Sequence, residues 1–159
     1  MTKDPTTIET NEKSLTIDRV YMTSPERLFQ AWTDPALACQ WLAPGPMKCS
    51  IPIYEPRKGG RFRIEMSGHG PDGKPMTMTY DGTFDDVTPG KRIVMLWPPA
   101  MPGVDPDADD PPSVVTITFT PVVGGTRLRL TQDGMPSKEG AGHAAMGWAS
   151  TFEKLAGIL

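Results

Sequence analysis

The chain has 159 residues, a net charge of −3 and two cysteines. That length suits one domain with a sizeable core, and mild acidity without a basic block argues against a nucleic-acid surface. No run reaches the length of a membrane span and no apolar N-terminal stretch reads as a secretory signal. The expectation is a cytoplasmic protein with reduced thiols at Cys39 and Cys49, although a Cys39–Cys49 disulfide is compatible with the sequence.

Residues 1–13 are polar and aperiodic and read as a loose arm. A strand is predicted over about 14–22, with Leu15, Ile17 and Arg19 on one side. Ser24 caps a helix that Pro25 opens. Over LFQAWTDPALACQW, residues 28–41, the spacing predicts two short helices hinged at Asp34-Pro35, because the residue before a proline is pushed out of the α region. Leu28, Ala31 and Trp32 share one helix face; Leu37, Ala38 and Trp41 share the next. Helices this short need a broad apolar surface to cover.

Strands follow at about 47–55, 61–67, 76–85, 92–97, 113–120 and 125–132. Pro52 marks the first of these as an edge or a bulge. Gly68–Gly73 reads as a turn, and Gly124-Gly125 as a hairpin. Residues 98–112, PPAMPGVDPDADDPP, cannot form regular structure. A long helix is predicted over 137–159, with Ala141, Ala144, Ala145, Trp148, Phe152, Leu155 and Leu159 on one stripe. Gly147 beside Trp148 costs helix stability. Its presence predicts that another element approaches Gly147 closely and that Trp148 is buried against the sheet.

The order is strand, two helices, six strands, long helix. It predicts an α+β helix-grip fold: a curved antiparallel sheet of six to seven strands wrapped around a long C-terminal helix, with two short helices after the first strand. One domain spans 14–159. A helix held in a curved sheet leaves room for an apolar cavity that takes a small molecule.

The residues placed to line such a cavity are Trp32, Trp41, Met66, Met78, Tyr80, Met95, Trp97, Gln132 and Trp148. Met66, Met76, Met78 and Met95 read two ways, as core filler or as an adaptable pocket wall. The tryptophans anchor the helices, and each buried indole N–H wants an acceptor. Trp97 ends a strand beside the 98–112 loop, where it could gate an opening. Tyr80, Gln132 and the indoles offer the polar contacts that would orient a ligand.

His69 and His143 have no neighbours that complete a metal site, and Cys39 and Cys49 lack the CxxC spacing of a zinc site. No metal and no cofactor is assigned. Asp105, Asp107 and Asp109 mimic half a calcium loop, but Asp110 and Thr116 stand where glycine and glutamate are required. Arg61, Arg63, Arg127 and Arg129 read as the solvent side of the sheet, paired with Glu65 and aspartates. No nucleophile motif such as GxSxG or HExxH is present, so no catalytic residue is nominated.

Five pieces in order, AWTDPALACQW, EPRKGGRF, PDGKPMTMTYDGTF, GTRLRLTQDGM and the Gly147-Trp148 pair, carry a resemblance over about 14–159. Together they resemble the activator of heat-shock-protein-90 ATPase homologue-like family of the START/SRPBCC superfamily. The resemblance implies the helix-grip topology and a hydrophobic cavity. The eukaryotic activator has an additional N-terminal chaperone-binding domain, and no stretch here is long enough to be one. Leu42 stands where the family often has a second tryptophan, and Gln132 where a histidine is common. The 98–112 loop looks longer than usual. Three functions stay open: a module, monomeric or homodimeric, that binds an apolar small molecule; a co-chaperone or stress-response interaction module; and an enzyme acting in the cavity.

Overall fold

The computed structural model describes residues 7–11, 13–70, 72–97, 112–135 and 138–159. Its strands are β1 (Thr7–Thr10), β2 (Ser14–Tyr21), β3 (Lys48–Tyr54), β4 (Arg61–His69), β5 (Pro75–Thr88), β6 (Arg92–Trp97), β7 (Ser113–Val122) and β8 (Gly125–Asp133). The helices are α1 (Pro25–Thr33), α2 (Pro35–Ala38) and α3 (Lys138–Ile158). All eight strands form one antiparallel sheet in the order β1-β2-β8-β7-β6-β5-β4-β3. This is the expected helix-grip architecture with one more strand than predicted.

The additional strand corrects the reading of the N-terminal arm. Thr7–Thr10 pairs with Leu15–Asp18 of β2, although all four of its side chains are exposed. A strand with no buried face leaves no alternation to read. It is held by backbone hydrogen bonds to an edge that would otherwise be open.

Local chemistry sets the helix pair. The Arg27 backbone N–H donates to Ser24 Oγ at 3.2 Å, and the Ala36 N–H to Asp34 Oδ1 at 3.0 Å. Asp34 is extended, as a residue before proline must be, so α1 stops at Thr33. The second helix is shorter than the apolar spacing suggested. It ends at Ala38, and Trp41 lies in the following turn. Pro52 falls both on the edge strand β3 and inside a register shift between Ser50 and Ile53. The first glycine-rich turn begins later than predicted, because β4 continues to His69. The 98–112 loop, with its four aspartates, lies outside the described residues except for Pro112.

The sheet presents one face to the helices. Leu15 and Ile17 of β2, Phe62, Ile64 and Met66 of β4, Ile93, Met95 and Trp97 of β6, and Leu128 and Leu130 of β8 are buried there. Ala141, Ala145, Trp148, Phe152 and Leu155 of α3 meet them. The opposite face is polar, and two arginines pair across strands: Arg63 Nε with Asp81 Oδ1 at 2.7 Å and Arg129 Nε with Asp18 Oδ1 at 2.9 Å. Each pair is directly opposed in the ladder. Arg19 follows the apolar parity of its strand instead. It lies over the Tyr21 ring and its Nη1 donates to Glu153 Oε1 of α3 at 2.7 Å.

Gly82 shows why one alternating position carries no side chain. A Cβ there would come within 2.2 Å of the Leu96 carbonyl oxygen and 2.4 Å of the Phe62 ring. The Phe62 ring crosses its strand partner Gly82 in the space a side chain would take. Gly147 corrects an expectation: a Cβ at that position would meet nothing within 4 Å. No element approaches it, and the neighbouring Trp148 is buried without its help.

Candidate functional site

The tryptophans come from four separate places, α1, the turn after α2, β6 and α3, and the fold joins them into one aromatic chain. Ring centroids lie 4.6 Å apart for Trp32–Trp41, 6.1 Å for Trp32–Trp148 and 5.8 Å for Trp148–Trp97. From Trp97 the chain continues to Tyr80 at 5.1 Å and to Phe62 at 5.1 Å, and from Phe62 to Phe84 at 5.6 Å. Edge-to-face and tilted pairs of this kind stabilise beyond their buried area.

A line of polar groups runs beside the rings. Gln132 sits in an inner-face row that crosses the sheet as Leu15, Gln132, Val115, Met95 and Phe84. The Trp148 indole Nε1–H donates to Gln132 Oε1 at 2.9 Å, and Gln132 Nε2 donates to Ser113 Oγ at 2.8 Å. Ser113 Oγ in turn donates to the Trp97 carbonyl at 3.4 Å. The amide thus uses both ends. A neutral histidine has one donor and one acceptor of its own, but only the amide holds both without a tautomer choice.

The other indoles differ. Trp41 Nε1 donates to the Ala31 carbonyl at 3.0 Å. Trp32 Nε1 and Trp97 Nε1 are buried and have no partner among the described residues. A buried donor left unmade costs about 1–3 kcal/mol, so these two N–H groups stand out in a well-packed region.

The predicted residues divide by exposure. Trp32, Trp41, Met66, Met95, Trp97 and Trp148 are buried. Met78, Tyr80 and Gln132 are half-buried, as is Met76. The aromatic cluster therefore passes into a partly open apolar strip on β4 and β5. There Tyr80 Oη donates to Met78 Sδ at 3.8 Å, and burial raises the Tyr80 phenol pKa above its usual value. Ser113, Phe62 and Phe84 also belong to the cluster and were not singled out from sequence. Their strand parity with Val115, Ile64 and Tyr80 was the available signal.

A hollow of about 400 Å³ lies elsewhere, beside β1, lined by Thr7, Glu9, Asp18, Arg19, Val20, Arg127 and Arg129. His69 and His143 are exposed and belong to different elements. Among the described residues no group of three or more His, Cys, Asp or Glu is placed to hold a metal. No helix among them is long and apolar enough to cross a membrane. Cys39 and Cys49 are free thiols, and the Cys39 thiol donates to the Cys49 carbonyl oxygen at 2.7 Å.

Comparison with known proteins adds to this geometry. The family model described as "Activator of Hsp90 ATPase homolog 1-like protein" matches residues 22–159. The chain belongs to this family. No curated protein matches it. Among solved structures it is similar to protein MLL2253 from Mesorhizobium loti, with 32% identity, TM-score 0.68, and 92% of this chain and 96% of that one covered. It is similar to CV1439 from Chromobacterium violaceum, with 25% identity, TM-score 0.78 and the same coverage of 92% and 96%. Ms6760 from Mycobacterium smegmatis shares the fold at 23% identity and TM-score 0.80, over 98% of this chain and 97% of that one. The family and the helix-grip fold place the chain within the START/SRPBCC superfamily, whose architecture is of a ligand-binding type.

Proposed function

We propose that this protein binds an apolar small molecule on the inner face of the sheet, between β4–β6 and α3. The observation that carries this reading is the junction of a half-buried Met76, Met78 and Tyr80 strip with two buried indole N–H groups, Trp32 and Trp97, that have no partner among the described residues. Methionines accommodate varied apolar shapes, and a few fixed polar groups orient what they hold. The ligand that suits such a surface is largely hydrocarbon and carries a hydrogen-bond acceptor for the indoles. Gln132 acts here as a positioning group, holding Trp148 and Ser113 in place.

The test is titration of the full chain with fluorescent apolar probes and with fatty acids, read by probe emission and by quenching of the tryptophans. Saturable binding that is weakened in Met78→Ala and Tyr80→Ala supports the reading. Absence of binding by every probe refutes it.

A further inference from the structure

Ten residues separate Cys39 from Cys49, yet the turn after α2 folds them together. Cys39 Sγ lies 2.7 Å from the Cys49 carbonyl oxygen. Cys49 stands directly opposite Met66 across β3 and β4, and Met66 directly opposite Met78 across β4 and β5. Opposed residues in an antiparallel pair have Cβ atoms about 4.5–5.5 Å apart on one face. Four sulfur side chains thus form a single row on the inner face. Met66 is buried and the other three are half-buried.

One cation serves this row. Lys154 of α3 donates its ammonium to the Ala43 carbonyl, in the turn that joins the two cysteines.

We propose that Cys39, Cys49 and Met66 bind one soft monovalent metal ion, copper(I) or its analogue silver(I), with the Met78 thioether flanking it. Thiolate and thioether sulfur select copper(I), whereas a structural zinc site takes four nitrogen or thiolate ligands that this row does not supply. On binding, two S–H bonds lose their protons to solvent and three metal–sulfur bonds form, two from the thiolates and one from the Met66 thioether, with no change of oxidation state. Two thiolates and one copper(I) leave a charge of −1, which the Lys154 ammonium offsets. This inference shares Met78 with the apolar-ligand reading, but Cys39 and Cys49 belong to the metal site alone, so the cysteine variants separate the two.

The experiment is an anaerobic titration of the reduced full chain with copper(I) against a chromophoric copper(I) chelator. The expected result is one copper per chain and a rise in Tm on loading. Cys39→Ser and Cys49→Ser should each weaken binding by at least about a hundredfold, and Met66→Leu by about tenfold. Met66→Leu conserves volume, so its unloaded Tm should stay near that of the unmodified chain and separate metal loss from misfolding. Copper held no tighter than by the Cys39→Ser/Cys49→Ser double variant would overturn the proposal. So would one copper per two chains.

Discussion

Trp148 carries both the packing and the polar wiring of the inner face. Its ring bridges Trp32 and Trp97, and its N–H occupies one end of the Gln132 amide. The residue is 9% exposed, so truncation removes a large buried surface and leaves Gln132 Oε1 without its donor. Trp148→Ala should lose roughly 3–5 kcal/mol of stability, as other large core truncations do. Urea denaturation measures it. A loss under about 1 kcal/mol would put the residue outside the core and break the account of how α3 is held.

At the level of elements, α3 is held by its apolar stripe and by hydrogen bonds from the chain around it. Tyr21 Oη donates to the Phe152 carbonyl at 2.9 Å, and the Gly45 N–H donates to Ser150 Oγ at 2.8 Å. The helix is tied in this way to β2 on one side and to the turn after the helix pair on the other. Gly147 contributes nothing to these ties. A methyl group fits there without contact, and the backbone is helical. Gly147→Ala should therefore raise stability by about 0.5–1 kcal/mol, through the lower conformational entropy of the unfolded chain. The urea midpoint of the variant should move up with an unchanged slope; a fall would mean that a hidden close approach exists at that position.

Across the whole molecule, protection should follow position in the sheet. β8, β7 and β6 are flanked by strands on both sides and carry buried residues at alternate positions, whereas β1 is an edge with four exposed side chains. Native-state hydrogen exchange should find the slowest amides in β6–β8, opening only with global unfolding, and the fastest paired amides in β1. Fast exchange in β7 or β8 would show that the helices do not stabilise the centre of the sheet. The same gradient leaves the β3–β5 end, where Met76, Met78 and Tyr80 are half-buried, as the part of the inner face where the proposed ligand would enter.

Alternation and helical spacing are local, and they were enough to determine the strands β2 to β8, the proline hinge at Asp34-Pro35 and the buried stripe of α3. They were also enough to put Trp32, Met66, Met95, Trp97 and Trp148 on inward faces, because one buried face imprints its period on the sequence. β1 left no such imprint, since its pairing is made by backbone groups that every residue carries. Contacts between distant segments were decided only by the tertiary structure. The Trp148–Gln132–Ser113 line joins three elements whose order in the chain says nothing of their distance. The row from Cys39 and Cys49 to Met66 and Met78 depends on strand register and on the fold of one turn, which no spacing rule encodes. Gly147 marks the converse limit. A glycine in a helix reads as a demand for close packing, and only the neighbours in space could show that none was made.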